Sequence, residues 1–165
     1  MTVPVDQEVA EAPKAFALIY VSAAVTPKTQ AELASLLVQF RKNNQKNNIA
    51  GMLLFKDPFF LQVLEGKESD VRLLYKKIEA DPRHHRLEIL YEGPQQQQEF
   101  SDWSMAFHDL DDRTSRSIQG YSEDLNTPLQ DALALHDQPK LRQFISLFML
   151  DLIPRSRLAL KLKGL

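Results

Sequence analysis

Two apolar runs separated by three residues constrain the fold more than any other feature of this sequence. Ile49–Phe55 and Phe59–Glu65 each have the length and the composition of a buried strand. The residues between them, Lys56-Asp57-Pro58, are typical of a tight turn. The two runs therefore predict a β-hairpin near the middle of the chain.

The segments around this hairpin complete an α+β pattern. Apolar periodicity predicts further strands at Lys14–Ala24, Leu87–Tyr91 and Phe100–His108. It predicts one helix that begins at the N-cap Thr26 and ends near Asn43–Asn48, and a second helix at Ser69–Ala80. The order β-α-β-β-α-β-β predicts a ferredoxin-like sandwich with one added strand.

The remaining segments predict how the chain is divided. Residues 15–110 are predicted to form the domain, after a disordered leader at 1–14 and before a helical extension at 111–165. Within that extension, helices are predicted at Leu129–Leu135 and Leu141–Leu152.

Composition excludes several classes of function. The chain of 165 residues has no cysteine, which excludes disulfides, thiolate nucleophiles and Cys-ligated metals. A net charge of −2 gives no electrostatic case for nucleic acid. The apolar segment Phe144–Ile153 is shorter than the roughly 20 residues that a bilayer span needs. We therefore expect a soluble, cytoplasmic protein.

Gln62 is the most informative candidate site residue. It places an amide inside an apolar strand, where a polar group costs free energy unless a partner satisfies it. The side chain offers one acceptor and two donors without a charge. It can therefore bridge two groups and change the direction of its hydrogen bonds. By itself it is also compatible with a satisfied polar residue of the core.

Tyr20, in the first predicted strand, is the natural partner of this amide. Alone, it is typical of a core tyrosine whose hydroxyl reaches a backbone carbonyl. A phenol has a pKa near 10, so it is neutral at pH 7 and can release an electron together with its proton. Paired with Gln62, it indicates a redox or photochemical site.

Three further groups of side chains admit a structural and a functional interpretation. Trp103 and Met105 alternate along a strand and so share one side, either for packing or for a site. Adjacent His84 and His85 point to opposite faces of a strand, which argues against a metal site. Lys77, at the end of the second helix, is typical of a solvated helix end, although it is also placed to meet a phosphate.

The motifs resemble those of BLUF domains, the blue-light sensors that use FAD, from about Ala15 to Phe107. Leu18-Ile19-Tyr20-Val21-Ser22 resembles the first strand, and Phe60-x-Gln62-x-Leu64-Glu65-Gly66 resembles the glutamine strand. Further matches are Ile49-Ala50-Gly51-Met52-Leu53, Asp81-x-Arg83-His84 and Phe100-x-x-Trp103-Ser104-Met105. Two positions depart from the family, because Phe40 stands where Ser is common and Ala50 where a hydroxyl residue precedes the glycine.

The resemblance implies a noncovalent FAD site between the two helices. Tyr20, Gln62, Trp103 and Met105 would take part in the photochemistry, and no metal is implied. The residues implied to bind the cofactor are Tyr20, Leu36, Asn43, Asn44, Phe60, Gln62, Lys77, Ile78, Asp81, Arg83, His84 and Met105. Of the neighbouring amides, Asn47-Asn48 fits a helix cap better than Asn43-Asn44 does.

The resemblance also implies a function and kinds of partner. It implies a photoreceptor without an enzyme domain, which acts on a separate signalling protein and forms a homo-oligomer. Two alternatives stay open at this point: a flavin-dependent redox enzyme, and a ferredoxin-like interaction module without a cofactor.

Overall fold

The computed structural model describes residues 14–26, 29–56, 58–98, 100, 106–109, 143–144 and 147–148. Its seven elements are β1 Ala15–Ala24, α1 Gln30–Lys46, β2 Ala50–Lys56, β3 Phe59–Gly66, α2 Glu68–Glu79, β4 His84–Gln95 and β5 Ala106–Asp109. This order confirms the predicted β-α-β-β-α-β-β fold. Residues 1–13 of the predicted leader, the helix predicted at Leu129–Leu135, Trp103 and Met105 lie outside the described residues.

The strands form one sheet in the order β4-β1-β3-β2-β5. Neighbouring strands are antiparallel, except that β5 runs parallel to β2. The hairpin predicted from the two apolar runs is β2–β3, with Phe55 opposite Phe60. Since β1 and β3 are the two inner strands of the antiparallel part, their side chains are buried on both faces.

Each face of the sheet has its own apolar cluster. On the helix face, α1 and α2 pack on the sheet through residues such as Leu33, Leu37 and Val71. On the opposite face, strand residues such as Val63 pack with Phe144 and Phe148. The described residues 143–144 and 147–148 are helical, within the helix predicted at Leu141–Leu152.

The predicted start of α1 is wrong by three residues. Thr29, not Thr26, is the N-cap, because its side chain accepts a hydrogen bond from the Glu32 amide while the Glu32 carboxylate accepts one from the Thr29 amide. This reciprocal capping box satisfies two amide groups that a helix start otherwise leaves open. At the other end the cap is Asn47, and Asn48 takes a left-handed φ of 51°. The second Asn pair therefore has the predicted cap role.

Strand β4 is longer than predicted at both ends. Its pairing with β1 runs from Ala24 opposite His84 to Ala15 opposite Gln95. Apart from Gly93, the added residues are polar or exposed, so they carry no buried-strand signal in the sequence. The described part of strand β5 is Ala106–Asp109, and Phe100, the predicted first residue of this strand, lies in a turn. The predicted residues 101–105 lie outside the described ranges.

No helix within the described ranges is both long and apolar enough to cross a membrane. The structure likewise brings no three His, Asp or Glu side chains together as a metal site, as far as those ranges extend.

Replacing Gly51 by Ala should destabilise the protein by about 1–3 kcal/mol or more, as overpacked cores do. A Cβ at this position of β2 would lie 2.0 Å from the backbone oxygen of Val63 on the paired strand, and a backbone atom cannot turn away. Gly93→Ala is the control, since its Cβ would meet the Tyr91 hydroxyl, the far end of a side chain that can rotate. Urea unfolding of both variants measures the difference. Equal midpoints would contradict the prediction.

Candidate functional site

Tyr20 and Gln62 meet because β1 and β3 pair antiparallel with these two residues directly opposite each other. Both side chains point to the helix face and both are almost fully buried, at 2% and 3% exposure. The Tyr20 hydroxyl donates a hydrogen bond to Oε1 of Gln62. The pair that the sequence singled out is therefore in direct contact, 42 positions apart in the chain.

A pocket opens over this pair between α1, the sheet and the start of β4. The space inside it that the centre of a water molecule can reach is about 30 Å³, so the pocket is a narrow cleft that opens to solvent. Its lining is mostly apolar near the pair and charged toward β4. The lining residues are Tyr20, Ser22, Leu36, Phe40, Leu53, Phe60, Gln62, Asp81, Arg83 and His84.

Most of the predicted cofactor residues lie at this pocket, and four lie elsewhere. Leu36, Phe60, Asp81, Arg83 and His84 line it together with the Tyr–Gln pair. The others that the structure describes are off the lining: Asn43 and Lys77 are exposed, Asn44 is buried at the end of α1, and Ile78 is half-buried against the helix-face cluster.

Three lining residues were not among the predicted site residues. Ser22 and Leu53 share the helix face with Tyr20 and Gln62, so strand alternation was a usable signal for both. Phe40 was noted only as a departure from the family, and it lies one helical turn after Leu36 on α1. Its ring adds apolar surface where a hydroxyl is common.

Burial controls the protonation state of Tyr20. Removal from water raises the pKa of its phenol well above the ordinary value of 10, and the phenolate form of Tyr75 and the carboxylate of Asp81 add to the effect. The phenol is therefore neutral at any physiological pH. It can act as a hydrogen-bond donor to Gln62, and it can lose an electron only if its proton also leaves.

The charged end of the pocket is organised by an Asp–Arg pair. Arg83 donates to both carboxylate oxygens of Asp81, at 2.9 and 3.0 Å from Nε, and its backbone amide also donates to this carboxylate. Mainly because of the hydrogen bond from the Arg83 side chain, the pKa of Asp81 falls to about 2. The same pairing raises the pKa of Arg83. Both groups keep their charges beside the pocket.

A bulge in β4 determines which of the adjacent histidines reaches the pocket. Val21 pairs with Glu88 and Ala23 with His85, so Ser22 faces two β4 residues, Arg86 and Leu87. Arg86 takes the left-handed φ of 54°, and this extra residue shifts the alternation of side chains by one. His84 therefore lines the pocket, with Nδ1 at 3.3 Å from Ser22 Oγ, whereas His85 is exposed.

The residues of the pocket fit FAD. Aliphatic and aromatic side chains suit a flat heterocycle, and the Gln62 amide offers both donors and an acceptor to its polar edge. Arg83 and His84 lie at the other end, where nitrogen donors suit hydroxyl or phosphate oxygens. An apolar slot with a few convergent polar groups is the usual form of a cofactor site.

Fold and pocket together define a ferredoxin-like domain with a buried phenol–amide pair beneath a narrow, mostly apolar cleft. The family model for sensors of blue light using FAD, BLUF, matches residues 16–106, more than half of the chain. The chain belongs to the BLUF family, and FAD is the cofactor that defines this family. The matched domain is thus a blue-light sensor domain, and the two alternatives, a cofactor-free module and a redox enzyme, are not favoured.

Relatives support the same assignment. The alpha subunit of photoactivated adenylate cyclase from Euglena gracilis is 38% identical over 99 residues, which cover 59% of this chain but 10% of the cyclase. A bacterial light-regulated adenylyl cyclase is 31% identical with a TM-score of 0.58, over 73% of this chain and 35% of that one. The BLUF protein BlrB in its dark state is 25% identical with a TM-score of 0.57, over 78% and 87%.

Replacing Asp81 by Asn should make the protein less stable at neutral pH, but not in strong acid. The native state lowers the pKa of Asp81 from 3.8 to about 2, so the stabilisation is present above pH 3.8 and is lost as the pH falls toward 2. Because about half of the Arg83 side chain is exposed, we expect the variant to lose about 1 kcal/mol of unfolding free energy at pH 7. Urea unfolding at neutral and at acidic pH measures it. A difference between wild type and variant that does not shrink in acid would contradict this origin.

Proposed function

We propose that the hydrogen bond between Tyr20 and Gln62 is the light-sensitive element of the protein, and that its rearrangement alters a protein–protein interface. The observation that carries this proposal is the direct contact of the phenol with the amide oxygen, in a buried pair that also lines the pocket. An amide so placed can exchange its donor and acceptor ends by rotation or tautomerisation while the surrounding side chains stay in place.

The pocket residues hold FAD in this proposal. Leu36 and Phe60 pack on the ring, and Ile78 supports it from α2. Arg83, His84 and Asp81 take the ribityl and phosphate side, with Lys77 as an outer cation. Asn44 and Asn43, at the end of α1, serve the polar edge of the ring. Trp103 and Met105 remain predicted site residues that lie outside the described ranges.

Bound FAD supplies the absorption of blue light and, once excited, an oxidant strong enough for a phenol. Tyr20 responds by releasing an electron, and its proton leaves along the hydrogen bond to Oε1 of Gln62. The neutral, buried phenol requires this coupling, and the Gln62 amide oxygen accepts its hydrogen bond. When the electron returns to Tyr20, the Gln62 amide is left in its rearranged form, which produces a small red shift of the absorption spectrum.

The position of β3 offers a route from the pocket to a surface. Gln62 lies between Leu61 and Val63, whose side chains point to the opposite face of the sheet and pack in the cluster with Phe144 and Phe148. A change in β3 is therefore felt where residues beyond the BLUF match contact the sheet. We expect this face to bind a separate signalling protein or a second copy of the chain, and we expect no catalytic turnover by the domain itself.

The visible absorption spectrum before and after blue illumination tests the function directly. We expect a flavin spectrum that shifts slightly to the red and recovers in darkness. A flavin spectrum that stays fixed or bleaches would overturn the proposal in favour of a redox flavoprotein. A protein that cannot take up FAD would overturn the cofactor site itself.

Replacing Tyr20 by Phe should abolish the red-shifted state, because the variant has no hydroxyl to donate to Gln62. FAD should stay bound, since the ring and its packing are kept. Tyr91→Phe is the matched control: Tyr91 is half-buried and packs on the opposite face of the sheet, so this variant should shift like the wild type. A normal photocycle in Tyr20→Phe would contradict the assigned role.

A further inference from the structure

A second tyrosine lies directly against Tyr20. Tyr75, on α2, meets it edge to face, with ring centroids 5.3 Å apart and planes inclined at 70°. This is the preferred geometry of contacting aromatic rings. Tyr75 is buried to 8% exposure, and both rings belong to the helix-face cluster. Electron exchange between the two phenols therefore needs no intervening group.

The charges around the two rings differ in a way that favours an electron vacancy on Tyr75. The carboxylates of Glu79 and Glu92 are close enough to raise the pKa of Tyr75, in addition to burial. Negative charges that oppose loss of a proton also favour loss of an electron, because they stabilise the positive charge left on the ring. Arg72 offsets part of the effect of Glu92, since it binds that carboxylate at 3.0 Å.

Tyr20 has fewer negative charges around it that would stabilise an electron vacancy. The carboxylate that raises the pKa of Tyr20 is Asp81, and it is neutralised by the guanidinium of Arg83. The Glu79 side chain, in contrast, is exposed on the same helix as Tyr75, four residues further on. An exposed carboxylate can also accept the proton that an oxidised phenol must release.

We propose that Tyr75 is a second electron donor, which reduces Tyr20 again after Tyr20 has been oxidised. The inference rests on the proposed function, since it requires oxidation of Tyr20 by excited FAD. One electron passes from the Tyr75 ring to Tyr20. The O–H bond of Tyr75 breaks and its proton goes to a surface carboxylate or to water, while Tyr20 recovers from Gln62 the proton it gave up. The oxidant keeps one electron, and Tyr75 has lost one electron and one proton.

This step competes with the productive rearrangement. Once the electron vacancy has moved to Tyr75, Tyr20 is neutral again and keeps its hydrogen bond to Gln62. Return of the electron from the oxidant to Tyr75 is therefore slower and does not rearrange the Gln62 amide. Tyr75 therefore limits the yield of the red-shifted state. It also removes a reactive radical from the flavin pocket when illumination is strong.

Electron paramagnetic resonance of the FAD-loaded protein, frozen during illumination, tests the proposal. We expect a persistent tyrosyl radical in the wild type and an at least fivefold weaker signal in Tyr75→Phe. Phe keeps the ring and its contact with Tyr20, so unchanged urea unfolding would show that packing is preserved. Glu79→Gln should also weaken the signal, and Tyr91→Phe should leave it unchanged.

Two results would overturn the role of Tyr75. One is a normal red shift in the wild type without any persistent tyrosyl radical, and the other is an equally strong radical in Tyr75→Phe. Failure of the proposed function has a different signature, because it would abolish the red shift in the wild type or preserve it in Tyr20→Phe. A yield of the red-shifted state that rises in Tyr75→Phe would add independent support.

Discussion

The antiparallel pairing of β1 with β3 is the constraint on which the rest of this structure depends. It sets Tyr20 opposite Gln62, so the Tyr20 hydroxyl satisfies the buried amide oxygen. Left without a hydrogen bond, that oxygen would cost about 1–3 kcal/mol of stability. A shift of one residue in this register would turn every side chain of one strand to the other face. The apolar residues on both faces of both strands prevent such a shift, because each has its own cluster to fill.

Around this pair, the fold separates two environments within one pocket. The ring of Phe60 and the α1 residues Leu36 and Phe40 make one side apolar, which keeps the phenol neutral and dry. The turn after α2 and the bulge of β4 bring charged and polar groups to the other side. A cofactor with a flat heterocycle and a charged tail needs both environments. They are supplied by α1 and by the segment from the end of α2 into β4.

The family motifs predicted the centre of the site better than its margins. Tyr20, Gln62 and Phe60 stand in strands with strong apolar patterns, so their face could be derived from alternation. The margins depend on tertiary contacts instead. The start of α1 at Thr29 follows from a reciprocal hydrogen bond, and the extra residue Arg86 in β4 follows from pairing with β1. The extra residue in β4 leaves no signal in local composition, whereas Thr29-x-x-Glu32 is the sequence pattern of a capping box. The contact between Tyr20 and Tyr75 joins positions that no motif connects.

The sequence by itself determined the order of elements, the hairpin β2–β3 and the identity of the phenol–amide pair, because these follow from apolar periodicity, turn residues and short motifs. The tertiary structure decided which side chains share the pocket, because that depends on strand order and on the two register shifts between β1 and β4. It placed Ser22, Phe40 and Leu53 at the site and Asn43 outside its lining. It also set Tyr75 against Tyr20, since only the packing of α2 on the sheet brings those two rings together.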